Sequence, residues 1–128
     1  MKNCLLILLA STLLLGACQK DTGTPRNTSM TLTGDWYMVK YVAFAPQLPN
    51  LTRGDILWTF DANASTVTII NTTSSSPASG TYTYTHTATE LTINFTNYSQ
   101  TFDYSFSNGE MILSDDPQLD GPVMTFVR

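Results

Sequence analysis

Residues 99–114 read SQTFDYSFSNGEMILS. Phe102, Tyr104 and Phe106 alternate with polar residues, so one face of this segment is aromatic and the other is polar. Asn108-Gly109 follows the alternating run, and this dipeptide is typical of the type I′ turn that joins two antiparallel strands. The segment therefore predicts a β-hairpin with one face in a core and the other in water.

The same alternation recurs on both sides of this hairpin, and no window carries a convincing helical stripe of apolar residues. The pattern predicts eight strands, one about every twelve residues, which is the spacing of a barrel or a sandwich. The strands are expected at Asp35–Phe44, Ile56–Asp61, Thr66–Asn71, Gly80–His86, Glu90–Phe95, Ser99–Ser107, Glu110–Ser114 and Val123–Arg128.

The lengths of the connections favour one topology. All connections after even-numbered strands are short, and three after odd-numbered strands are long, namely residues 45–55, 72–79 and 115–122. In an up-and-down meander these two sets lie at opposite ends. We therefore expect an all-β, eight-stranded antiparallel barrel with a closed base and an open end carrying mobile loops. A β-sandwich is the alternative.

Composition excludes several function classes. The 128 residues fit one domain, charged residues are 12% of the chain, and the net charge of −4 with six Lys or Arg does not suit a nucleic-acid binder. One histidine and two cysteines leave too few ligands for zinc. His86 is the only base of the usual catalytic kind, and a structural role is expected for it. We predict a monomeric non-enzyme without a cofactor or metal.

The N-terminus has the order of a lipoprotein leader. Lys2 precedes the apolar run Leu5–Leu15, which is too short to span a bilayer. The run ends in Leu15-Gly16-Ala17-Cys18, which resembles the lipobox of bacterial lipoproteins. The resemblance implies that residues 1–17 are a signal peptide. It also implies that Cys18 carries acyl chains such as palmitate, so that the lipid bilayer is a partner.

Residues 18–33 are polar, contain Gly and Pro, and read as a flexible tether. Within them Gln19-Lys20-Asp21 resembles the short export signal of surface lipoproteins of Bacteroidota, although an ordinary solvated linker has the same composition. The expected location is the outer membrane, with the domain facing the periplasm or the cell surface.

Gly34-Asp35-Trp36 opens the first strand and matches the Gly-x-Trp motif of lipocalins. Residues 34–128 as a whole resemble the small lipocalin-like lipoproteins of Bacteroidota. The resemblance implies that Trp36 sits at the closed base and that Arg128 packs across it. The lengths of the loops place both residues at that same end. Short strands, the lack of a disulfide and the lack of a C-terminal helix depart from large lipocalins and leave a roomy cavity in doubt.

Inward positions near the open end are the candidate ligand contacts. Lys40 shares a period-2 face with Trp36 and would meet an anionic ligand group such as a carboxylate, unless a bulge turns it to solvent. The other candidates are aromatic: Phe44, Trp58, Tyr82, Phe95, Phe102 and Tyr104. Such a lining suits a small hydrophobic or amphipathic ligand, and it equally suits a filled core. A tethered binding module and a structural or protein-interaction module therefore both remain open.

One long connection is acidic. Asp115, Asp116 and Asp120 lie in Ser114–Gly121 with a proline and a glycine. Asp-rich turns of this kind are common. A calcium site is the second interpretation, although the spacing matches no EF-hand loop.

Overall fold

A computed structural model describes residues 30–43 and 51–128. Within them it contains eight strands and one turn of 3-10 helix, Pro117–Leu119. The strands are β1 (Gly34–Val42), β2 (Ile56–Asp61), β3 (Thr66–Asn71), β4 (Gly80–His86), β5 (Glu90–Asn94), β6 (Ser99–Ser107), β7 (Glu110–Ser114) and β8 (Val123–Val127). The predicted bounds of β2, β3, β4, β6 and β7 are confirmed, and β1, β5 and β8 differ only at their ends.

The strands form a closed barrel in which each one pairs with the next and β8 pairs with β1. All pairs are antiparallel. Strand β1 completes the closure by changing partner along its length, since Gly34–Tyr37 pairs with β2 and Tyr37–Val42 pairs with β8. The up-and-down barrel is therefore confirmed, and the sandwich alternative is wrong.

The core is built by the inward face of every strand. Its largest fully buried side chains include Trp36, Trp58, Phe60 and Phe126. Their rings pack closely, with 5.1 Å between the ring centres of Trp58 and Phe126. Each such side chain contributes about 1.5–3 kcal/mol when it leaves water. The buried cluster extends from Leu32 to Phe126, so the described residues share one continuous core.

The base is closed by contacts between the two ends of the barrel sequence. The Arg128 guanidinium carbon lies 4.6 Å from the centre of the Trp36 ring, and the guanidinium donates to the carbonyls of Thr31 at 2.7 Å and Thr33 at 2.9 Å. Leu32 is buried, and its carbonyl accepts a hydrogen bond from Trp36 Nε1 at 2.8 Å. The barrel packing thus begins at Leu32, inside the segment predicted as a tether.

A β-bulge interrupts β1. The pairing with β8 shifts between Met38 and Lys40, so Val39 is an extra residue. A bulge of this kind reverses the direction of the side chains that follow it. Tyr41 points into the barrel, whereas Lys40 is exposed on the outside. The prediction of an inward-facing Lys40 is wrong for this reason, and the bulge alternative holds.

The loop after β3 is tied down by Asn71. Its Nδ2 donates to the carbonyls of Ser75 at 2.9 Å and Pro77 at 2.8 Å, and its Oδ1 accepts from the backbone N–H of Thr73 at 2.9 Å. Asn71, a side chain at the end of the strand, therefore makes three hydrogen bonds to the backbone of the loop for which the sequence predicts mobility.

Candidate functional site

The open end of the barrel holds a cavity of about 200 Å³. Four strands and three connections supply its walls. The lining residues are Tyr41, Trp58, Ser76, Pro77, Phe95, Tyr98, Gln100, Phe102, Pro122 and Met124. The cavity therefore sits opposite the closed base.

Three of the predicted ligand contacts line this cavity: Trp58, Phe95 and Phe102. The alternation of β2 and β6 turns Trp58 and Phe102 inward, where both are buried. Phe95 follows the last residue of β5 and is half-buried. Half of the ten lining residues are aromatic, so the site has both apolar and polar surface for a ligand.

A second cavity, of about 160 Å³, lies beside the first. Tyr82, another predicted contact, lines it, and its ring packs edge-on against Phe95 with 5.0 Å between the centres. The two cavities share Ser76, Pro77, Phe95 and Tyr98, so these residues form a common boundary.

Two polar side chains stand out in the cavity wall. Gln100 Nε2 donates to Asp115 Oδ2 at 2.6 Å, so the Gln100 amide is held at the rim. Trp58 Nε1 is buried and has no hydrogen-bond partner among residues 30–43 and 51–128. No charged residue is among the described residues that line the cavity. The cavity is therefore uncharged over its described lining, and one of its lining indoles carries a buried donor without an acceptor there.

A family model for a lipocalin-like domain matches residues 32–113, which is more than half of the chain. The chain belongs to the lipocalin-like domain family. The match begins at Leu32, where the buried packing of this lipocalin-like barrel also begins. It ends in β7, so the closing strand β8 and Arg128 lie beyond it. Searches of the curated proteins and of the solved structures found no match.

Tyr104 lies away from the cavity of the lipocalin-like barrel. Its hydroxyl donates to the Thr87 carbonyl at 2.8 Å and lies 3.4 Å from His86 Nδ1. Thr87 directly follows β4 at the base end, so Tyr104 joins β6 to the turn after β4. The prediction of Tyr104 as a ligand contact is corrected, because the stagger of the strands carries this residue toward the base.

Several predictions fall outside the part of the chain that the structure describes. These are the signal peptide of residues 1–17, Cys18 with its acyl chains, Gln19-Lys20-Asp21 and Phe44. Among the described residues, no helix has the length and apolarity needed to cross a bilayer.

The acidic loop after β7 is organised by its own backbone. The Asp115 N–H donates to the Pro122 carbonyl at 3.0 Å, and the Gly121 N–H donates to the Asp116 carbonyl at 3.1 Å. Over residues 30–43 and 51–128, no three His, Cys, Asp or Glu side chains come together in a way that could hold a metal ion. The loop thus fits the interpretation as an Asp-rich turn.

The sequence analysis missed several lining residues. Gln100 and Met124 could have been found, because each lies two residues from an inward aromatic on its strand. Tyr41 could not, because its direction depends on the bulge at Val39. Tyr98 lies in a connection, where alternation carries no information.

Proposed function

We propose that this lipocalin-like domain binds one small apolar or amphipathic ligand in the open-end cavity and acts as a non-enzymatic binding module. The observation that carries the proposal is the cavity of about 200 Å³ beside Trp58, Phe95 and Phe102. An engineered apolar cavity of about 150 Å³ is large enough for benzene. A ligand with one or two rings therefore has room here.

The filled lower barrel limits where a ligand can bind. Trp36, Phe60 and Phe126 are fully or almost fully buried there, so large side chains occupy this part of the barrel. The second function, an interaction module with a filled core, gains support from this packing. The ligand experiment below separates the two.

The proposal includes a membrane tether. The lipobox-like sequence before Cys18 supports acylation, and two or more acyl chains give stable anchoring. The contacts of Arg128 with Thr31 and Thr33 place the incoming chain at the base. An anchor at Cys18 would therefore hold the base toward the outer membrane, with the cavity facing away into the periplasm or the medium.

Native mass spectrometry tests the ligand proposal. The full chain is expressed in its native host and purified in detergent from the envelope fraction. A discrete added mass that is lost on denaturation is expected. Met124→Trp, which fills the cavity, should lose this mass and keep a cooperative thermal transition, whereas Lys40→Ala on the outer face should retain it. A bare mass, unchanged after incubation with fatty acids, sterol-like lipids and aromatic metabolites, would favour the interaction module.

Metabolic labelling tests the anchor. The full chain is expressed in its host with labelled palmitate, beside the Cys18→Ala variant. Label and membrane association are expected for the wild type and should both be lost in the variant. A variant that keeps the label would contradict acylation at Cys18.

A further inference from the structure

The two tryptophans of the chain differ in the hydrogen bonding of their indole N–H groups. Trp36 Nε1 donates to the Leu32 carbonyl at 2.8 Å. Trp58 Nε1 is buried and has no partner among the residues that the structure describes, and its side chain has 0% exposure and lines the cavity. A buried donor without an acceptor is unfavourable, because it has lost water and gained nothing in return. Such a group at a binding cavity points to a ligand that supplies the acceptor.

The protein groups around Trp58 offer only weak alternatives. The rings of Phe126 and Phe60 lie with their centres 5.1 Å and 6.2 Å from that of Trp58. Aromatic faces are second-order acceptors compared with an oxygen atom. Because Trp58 has no exposed surface, a ligand oxygen reaches its N–H by moving a flexible neighbour. Met124 lines the same cavity and has the unbranched side chain that adapts most easily.

The charges of the site argue against an anionic ligand. Lys40 is exposed outside the barrel, and Arg53 donates to the Arg128 carbonyl at 2.7 Å with its guanidinium 4.6 Å from the Tyr37 ring centre. Residues 44–50 read FAPQLPN and contain no charged residue. The Asp115 carboxylate lies at the rim, where it accepts a hydrogen bond from the lining residue Gln100. A carboxylate ligand would lose water without gaining a counterion and would face a like charge.

We infer that the ligand of this cavity is uncharged and carries a hydrogen-bond acceptor, such as a carbonyl oxygen, that binds the indole N–H of Trp58. The inference rests on the proposed function and defines its ligand class. An aryl ketone, ester or amide has the required chemistry. A free fatty acid or an aromatic carboxylate does not.

Three probes of nearly the same shape test the inference on residues 30–128. They are 2-acetylnaphthalene, 2-isopropenylnaphthalene and 2-naphthoate, which present a ketone oxygen, no oxygen and a carboxylate. Calorimetry should show the ketone binding about tenfold tighter than the hydrocarbon, with naphthoate the weakest. Trp58→Phe, which removes the donor and leaves a smaller aromatic ring, should make the affinities of the ketone and the hydrocarbon equal. Lys40→Ala is the control and should leave the order unchanged.

A second measurement needs no variant of Trp58. In a ¹H–¹⁵N spectrum of the wild type, the ketone should move the Trp58 indole resonance downfield and leave that of Trp36 in place. The inference is overturned if the ketone and the hydrocarbon bind with equal affinity and the Trp58 resonance does not move. It is also overturned if naphthoate binds more tightly than the ketone. In both cases the proposed function is unaffected, because a ligand still binds. Absence of binding by all three probes overturns the proposed function itself.

Discussion

Trp36 and Trp58 are register partners on β1 and β2, yet their indole N–H groups end in opposite situations. Trp36 is satisfied because the chain before β1 folds under the base and brings the Leu32 carbonyl to 2.8 Å. Trp58 packs against the Phe60 and Phe126 rings and lines the cavity, and its N–H has no partner within the described part of the chain. One indole N–H therefore binds the chain before β1, and the other lacks an acceptor among the described residues.

This difference predicts two distinct indole resonances in the free protein. The Trp36 N–H should resonate downfield of the Trp58 N–H, because a hydrogen bond to a carbonyl deshields the proton. A ¹H–¹⁵N spectrum measures the shifts, and Trp36→Phe and Trp58→Phe assign them. The reverse order would contradict the hydrogen-bond assignment.

Arg128→Ala should destabilise the base. The side chain contacts the Trp36 ring and two carbonyls, but it is solvent-exposed, so the loss is expected to be about 1–2 kcal/mol of unfolding free energy. For a domain of this size the melting temperature should fall by about 5–10 °C. Circular dichroism measures the transition. Lys40→Ala, at another exposed cation, should change little, and an unchanged curve for Arg128→Ala would remove the closing role.

Asn71→Ala should loosen the wall shared by the two cavities. It removes the bonds to the Ser75 and Pro77 carbonyls, which hold the loop that lines both. We expect faster hydrogen exchange in residues 72–79 and a loss of about 1–2 kcal/mol in stability. Asn63→Ala, in an exposed turn at the base, is the matched control. Equal exchange in the two variants would show that Asn71 does not hold the loop.

Gly121→Ala should disrupt the acidic loop. A Cβ at this position would overlap the Asp115 carbonyl oxygen, a backbone atom that cannot rotate away. The loop must shift, and the Gln100–Asp115 contact at the rim shifts with it. A loss of about 1–3 kcal/mol is expected. Chemical denaturation measures it, with Gln118→Ala in the same loop as the control. A loss no larger than that of the control would argue against this packing.

We expect the free energy of unfolding to fall at alkaline pH because of the ionisation of Tyr84. Burial, with a smaller contribution from the Asp61 carboxylate, raises the pKa of the Tyr84 phenol above its ordinary value near 10. The unfolded chain therefore releases this proton first as the pH rises above about 10, and the free energy of unfolding falls until the folded pKa is passed. Tyr84→Phe should flatten this fall in denaturation curves between pH 9 and 11. The half-exposed Tyr98 supplies the control variant Tyr98→Phe, and equal slopes for the two variants would contradict the assignment.

The sequence alone was sufficient for the strands and their order. Alternation along residues such as Phe102 and Leu113 is local, and Asn108-Gly109 specifies its turn through its own backbone preferences. The lengths of the connections then separated the two ends of the barrel. Closing the sheet into a barrel pairs the first strand with the last. The sequence therefore also predicts that Trp36, near the start of β1, and Arg128, just after β8, are neighbours.

The site depended on contacts between distant parts of the chain. The bulge at Val39 arises where β1 changes partner from β2 to β8, and it alone sends Lys40 outward and Tyr41 inward. The unpartnered N–H of Trp58 is likewise a property of its surroundings, since the same side chain at position 36 is satisfied.

The sequence by itself determined an all-β barrel, the boundaries of five of its eight strands and which end would be closed, because these follow from side-chain alternation, turn chemistry and the lengths of the connections. Only the tertiary structure decided that the open end keeps a cavity, that its described lining lacks a cation and that a lining tryptophan has a buried donor without an acceptor among the described residues. These features of the site depend on the volumes, charges and hydrogen bonds of side chains from separate strands. They cannot be predicted from any single segment of the sequence.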